Sequence, residues 1–229
     1  PGEDEQIKYS TQYLDKSLIA SAPAVALGQV QKEFVEMLIL SKKSLRNSVE
    51  YFMNRDEQLR EKGETYEDAI NNFDEQMTDY LTLLFREKLS PKEGLIASTL
   101  LDGTRDVERI GDHARDIVLS VDYQIRKKLK FSDEAKAEVQ EMYELCNDVI
   151  LKTIKSLEEN NIALAGAALA ACENIYALEK NARKQHTQRM KDGICEIPAG
   201  VVFMDLIQHF TRVCEHTRNI LEKEIQGHL

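Results

Sequence analysis

The same helical stretch occurs twice in this chain, about a hundred residues apart. Asp106-Val-Glu-Arg-Ile-Gly-Asp-His-Ala-Arg-Asp-Ile117 lies over His209-Phe-Thr-Arg-Val-Cys-Glu-His-Thr-Arg-Asn-Ile220 at an offset of 103 residues. The alignment pairs Arg109 with Arg212, His113 with His216, Arg115 with Arg218 and Ile117 with Ile220, and puts Asp102 on Asp205. Further upstream, at an offset of 105, Ile70, Phe73 and Asp74 fall on Ile175, Leu178 and Glu179, and Glu36-Met37 falls on Glu141-Met142. A unit of this length, present twice, is a duplicated small domain, because solenoid repeats run about 20 to 50 residues.

Each copy reads as helix. Ile96, Leu100, Gly103, Val107, Ile110, Ala114, Ile117 and Val121 alternate steps of four and three, the seam of a helix packed nearly parallel to others in a bundle. With 10 Gly and 4 Pro in 229 residues, breakers are too scarce for a β-rich fold. The expected fold is all-α: two tandem antiparallel three-helix bundles, laid end to end. Residues 1–24 form an extended lead-in, 25–130 the first repeat and 131–229 the second. Helix one is expected over about Ala24–Met53. Lys62-Gly63-Glu64-Thr65 breaks the pattern, so helix two should start at Thr65 and run to about Leu89. Ser90-Pro91-Lys92-Glu93 carries a capping box with Pro at the first helical position, opening helix three, which runs to about Lys128. In the second copy Ser132 opens a helix ending near Asn160, followed by helices over about 163–191 and 199–226.

The chemistry concentrates on helix three. Asp102 and Asp106, Glu108 and Asp112, and Asp112 and Asp116 each stand four apart, so each pair shares a helix face. These carboxylates are expected on the face away from the seam. Unpartnered like charges at that spacing destabilise a helix by about 0.2–0.5 kcal/mol per pair. Arg105, Arg109 and Arg115 could balance them on a solvated surface. Alternatively, Glu67 and Asp74 on the neighbouring helix two could join them around magnesium, manganese or iron. The second copy offers a thinner set, Glu179, Asp205, His209 and Glu215, in which the histidine suits iron, zinc or manganese. His113 and His216 are expected to hydrogen-bond within the bundle.

Several functions fit poorly. A net charge of −10 with interspersed Lys and Arg argues against a nucleic-acid partner. No apolar run approaches the roughly 18 residues of a membrane span, and no signal peptide opens the chain. Cys146, Cys172, Cys195 and Cys214 form no paired spacing and read as reduced thiols of an intracellular protein, with Cys172 and Cys214 facing cores. No Glu stands three before any histidine, as a di-iron oxidase bundle requires. Nothing matches a glycine-rich phosphate loop, a nucleophile elbow or a zinc protease motif. A Cys or Ser beside a His remains a possible dyad.

The stretch Asp106-Val-Glu-Arg-Ile-Gly-Asp-His-Ala resembles the signature of the PhoU family, and the resemblance extends with the duplication over nearly all of residues 28–226. It implies two three-helix bundles that bind metal, often as multinuclear iron or zinc clusters, through Glu/Asp-x-x-x-Asp motifs on the bundle surface. Asp102 with Asp106 and Glu108 with Asp112 fit that motif. Helix two departs from it, since Asn71 follows Glu67 and Thr78 follows Asp74, and the second copy departs further. Tyr13-Leu14-Asp15 and Pro23-Ala24-Val25-Ala26-Leu27 are similar to the segment that joins bacterial sodium/phosphate cotransporters to a cytoplasmic PhoU-like domain. The resemblance therefore implies a non-enzymatic regulator of phosphate transport whose partner is a cotransporter's membrane domain, at the cytoplasmic face of the cell membrane. The alternative is a free-standing regulator of an ABC phosphate transporter and a sensor kinase. A metal-dependent enzyme is a further alternative. A homodimer and direct phosphate binding stay open.

Overall fold

In a computed structural model describing residues 6–227 and 229, the chain folds into eight helices: α1 Leu18–Ser21, α2 Pro23–Asn54, α3 Glu57–Leu84, α4 Pro91–Arg126, α5 Asp133–Glu159, α6 Ile162–Cys172, α7 Asn174–Lys191 and α8 Ile197–Ile225. The start of the expected lead-in, residues 1–5, lies outside the described residues.

Local chemistry sets most boundaries. Pro23 sits in the first turn of α2, where its missing N–H costs nothing. At the start of α4 the Ser90 side chain accepts from the Glu93 N–H while the Glu93 carboxylate accepts from the Ser90 N–H, closing the expected capping box. Ser132 caps α5 by accepting from the Ala135 N–H.

Three boundaries differ from expectation, and Leu18–Ser21 of the lead-in is helical rather than extended. Helix α3 stops at Leu84, five residues short of the expected Leu89. Helix α3 begins eight residues before Thr65, at Glu57, with Asp56 accepting from the Gln58 N–H. Gly63 lies inside it, buried against Val118 and Asn47, whose amide donates to the Leu59 carbonyl at 2.7 Å. This packing overrides the roughly 1 kcal/mol that glycine costs a helix interior. The helix expected over 163–191 is divided at Glu173, where the backbone keeps helical torsions (φ −62°, ψ −26°) and only the hydrogen-bond ladder lapses. The Ile162–Lys191 segment is also the one place, among the described residues, where length and composition approach those of a membrane span, contrary to the expectation of no such run. Its apolarity is mostly alanine, and α6 packs on α5 and α8.

The expected seam is the core of the first bundle: Leu100, Gly103, Val107, Ile110, Ala114, Ile117 and Val121 are all buried. The two bundles are not end to end. α4 lies against α8, α2 also meets α5, and a single apolar cluster runs through both repeats. Asp106 of α4 meets His216 and Lys223 of α8, whereas His113, seven residues further along α4, meets His209, seven residues before His216 in α8. The two helices therefore cross antiparallel about a pseudo-two-fold axis. The lead-in is docked on α2 and α3: the Gln12 and Tyr13 N–H groups donate to Glu33, Thr11 bonds Gln76, and the Tyr80 hydroxyl donates to the Asp15 carbonyl at 2.8 Å.

Candidate functional site: the α3–α4 carboxylate face

Four of the six first-copy candidates share one face. Glu67 and Asp74 come from α3, Glu108 and Asp112 from α4. Burial pushes the Glu108 carboxyl up, and the neighbouring Asp112 and Asp74 add to that while Arg109 opposes it. Asp74 is likewise raised by burial, against the pull of Arg105 and Arg109, and its Oδ1 is buried without a hydrogen-bond partner. Glu67 is raised by burial despite its 2.8 Å ion pair with Arg115, with Asp112 and Asp116 adding to the effect. Arg109 Nη1 holds Asp112 Oδ2 at 2.8 Å. The Asp74 oxygen is left without a partner, but the four carboxylates do not converge on one point: Asp74 neighbours Glu108 and Glu67 neighbours Asp112, and no three of them bring ligand oxygens within 4.8 Å of one another. An all-oxygen donor set from two helices suits a hard or borderline ion.

Asp102 and Asp106 are elsewhere. Asp102 is exposed. The expectation that all these carboxylates look away from the seam fails at Asp106, whose side chain is 12% exposed and faces α8. There Asp106 Oδ1 accepts from Asn219 Nδ2 at 2.9 Å and meets His216 Nδ1 at 3.0 Å, while Oδ2 takes the Lys223 ammonium at 2.9 Å. Burial acts to raise this carboxyl, but the three hydrogen bonds outweigh it and hold it below its ordinary value. The helical turn explains the separation: residues 106 and 108 stand about 200° apart around the axis, 108 and 112 only about 40°.

In the second copy the equivalent face is closed by hydrogen bonds. Cys172 stands where Glu67 does, at the 105-residue offset, and Thr211 replaces Glu108 at the 103-residue offset. Thr211 donates to Glu179 Oε2 at 2.8 Å, and Arg183 pairs with Glu179 Oε1 at 2.7 Å. Glu215 pairs with Arg212 at 2.6 Å. Asp205 is exposed, and His209 turns to α4, away from Glu179 and Glu215.

Sequence reading missed three contacts. His113 faces His209 across the repeats with Nδ1 atoms 3.2 Å apart. Cys146 and Cys214 are buried with sulfurs 3.4 Å apart, a pairing their 68-residue separation conceals. Cys195 lies 3.3 Å from His186 Nε2, the arrangement a dyad requires. Burial raises that thiol, however, the reverse of what activates a cysteine nucleophile.

The fold and this face define a class: a duplicated three-helix-bundle protein with an acidic, partly buried inter-helix surface on its first copy. A family model described as the PhoU domain matches residues 34–121 and again 139–223, so the chain belongs to the PhoU domain family. The phosphate-specific transport system accessory protein PhoU homolog 1 of Thermotoga maritima is 23% identical over 197 residues, spanning 86% of this chain and 84% of that protein. Among solved structures, PhoU from Pseudomonas aeruginosa matches with a TM-score of 0.81 at 17% identity, covering 89% of this chain and 99% of that one. The phosphate transport system regulatory protein PhoU from Streptococcus pneumoniae matches at 0.79 and 18% identity, covering 89% and 95%.

Proposed function

We propose that this protein is a non-catalytic accessory regulator of phosphate transport, with a cation bound on the α3–α4 face setting the surface offered to its transport partner. The observation that carries the reading is the match of both repeats to the PhoU domain, together with an accessory protein of a phosphate-specific transport system aligned over 84% of its length. That breadth favours a free-standing regulator acting on an ABC transporter and a sensor kinase. A cotransporter's membrane domain at the cytoplasmic face of the membrane is the second reading. It is favoured by the lead-in's resemblance and by its docking on α2 and α3 through Glu33 and Gln76.

The donors proposed for the ion are the neighbouring carboxylates Asp74 and Glu108, with Glu67 and Asp112 a second pair further along the face and water completing the coordination; magnesium, manganese, iron or zinc are the candidates. Asp106 is left out because both its oxygens are engaged by α8. The bound ion would neutralise this face and brace α3 against α4. Elemental analysis of protein purified without chelator, beside Glu108→Gln with Asp112→Asn, tests the site. Metal lost in the folded variant supports it, and equal metal in both sinks it. Phosphate uptake in cells lacking the protein tests the role, with deregulated uptake expected. Long apolar spans encoded just upstream of Pro1 would select the cotransporter as partner.

A further inference from the structure

The pseudo-two-fold axis between α4 and α8 presents one arrangement of side chains twice, with different chemistry in each half. In one half Asp106 of the first repeat meets His216, Asn219 and Lys223 of the second. At the 103-residue offset Asp106 corresponds to His209, His216 to His113, Asn219 to Asp116 and Lys223 to Ser120. The first half is a carboxylate satisfied by an amide, an imidazole and a built-in cation, the Lys223 ammonium. In the second half that cation is absent, because serine stands in place of lysine, and the donors change to two imidazoles and a carboxylate.

Those three groups converge. A ring nitrogen from each of His113 and His209 and a carboxylate oxygen of Asp116 lie within 4.8 Å of one another, the only such group of three or more among the described residues. The ring centroids of His113 and His209 are 5.4 Å apart, tilted at 47°, and the rings are half-buried. With Nδ1 atoms 3.2 Å apart, an ion about 2.0–2.1 Å from each nitrogen would make an N–metal–N angle of roughly 100°, close to tetrahedral. His113 and Asp116 stand three apart on one helix and therefore share a face.

We propose that His113, Asp116 and His209 bind a borderline divalent transition ion of the zinc class. The ion clamps the two repeats together where Lys223 does so on the opposite side of the axis. Two imidazoles and one carboxylate with coordination positions left for water are a donor set such ions accept, whereas magnesium and calcium prefer all-oxygen sites. The site shares no ligand with those proposed on the α3–α4 carboxylate face.

The test uses the full chain, stripped with chelator and titrated with Zn²⁺. Binding is read by calorimetry, coordination by X-ray absorption and unfolding by thermal melts. The expected result is one zinc site with imidazole scattering from two histidines and a melting temperature raised by the ion. Glu108→Gln with Asp112→Asn, which disables the carboxylate face, should leave this signal intact. His209→Gln should weaken binding by at least the roughly 10–100-fold that loss of an outer-shell partner costs. Because such a variant could lose its fold, a second one copies the other half of the axis: His209→Asp, Asp116→Asn and Ser120→Lys together. It should fold without ion and show no melting response to Zn²⁺. Zinc bound without imidazole scattering, or with equal affinity in folded His209→Gln, overturns the proposal.

Discussion

His186 is fully buried on α7, stacked on Phe203 with ring centroids 4.1 Å apart. Its Nδ1 accepts from Arg189 at 3.1 Å, leaving the Nε2 proton to point at Cys195, so the ring is neutral. Burial, helped by Arg189, holds it down to about 4 from an ordinary 6.5. The unfolded chain takes up this proton near 6.5 and the folded protein only near 4, so stability is complete above 6.5 and drains away between those values. Melting temperatures measured from pH 7 to pH 5 should fall, and fall less steeply in His186→Gln; parallel slopes would contradict this. Asp106 makes a different case. Asp106→Asn leaves the Lys223 ammonium without its counter-charge at the repeat contact, and urea denaturation should register a loss of about 1–3 kcal/mol.

Within a helix, whether glycine helps or harms depends on what stands over it. A Cβ on Gly111 of α4 would lie 2.9 Å from Ile70 Cδ1 and 3.1 Å from its Cγ2, so this glycine is what lets α3 approach α4 and bring Asp74 beside Glu108 and Glu67 beside Asp112. Gly111→Ala should destabilise by about 1–3 kcal/mol through overpacking, less up to about 1 kcal/mol of recovered helix propensity. Gly166 in α6 has nothing within 4 Å of its would-be Cβ, and Gly166→Ala should stabilise by about 0.5–1 kcal/mol. Opposite signs in paired melts confirm the distinction, and the same sign at both positions would refute it. At this scale the sequence was largely legible where local chemistry decides: the Ser90 capping box, the α4 seam and the Ser132 cap all stand where spacing puts them. It misled at Gly63, because the contacts that keep α3 continuous there come from Asn47 and Val118, 16 and 55 residues away in the chain. The carboxylate face was half legible. Period 3.6 already separates Asp106 from Glu108, but only the packing of α8 reveals what Asp106 faces.

For the whole molecule, the relation between the repeats is what pattern could not supply. Duplication predicts two similar bundles but says nothing of which faces they share. A helix such as α4, buried against α2 and α3 on one side, still has a second side to cover, and α8 covers it. The apolar core consequently runs unbroken from Ile19 and Leu27 in the first repeat to Phe203, Phe210 and Ile220 in the second. Neither bundle can open without exposing part of the other, so the two should unfold together. Calorimetry should give one main transition whose van't Hoff and calorimetric enthalpies agree, as for a single cooperative unit. Two resolved transitions of comparable size would mean that the α4–α8 contact is weaker than its burial indicates. One local departure is expected. Helix α6 rests on the small separate cluster of Val149, Ala165, Ala168, Cys172 and Leu221, and its own alanines contribute little apolar area to it. Such a helix opens at lower free energy than the elements on the main core. Amide exchange in Ile162–Cys172 should therefore run ahead of exchange in Val107–Val121, and equal protection of the two would place α6 inside the same cooperative unit.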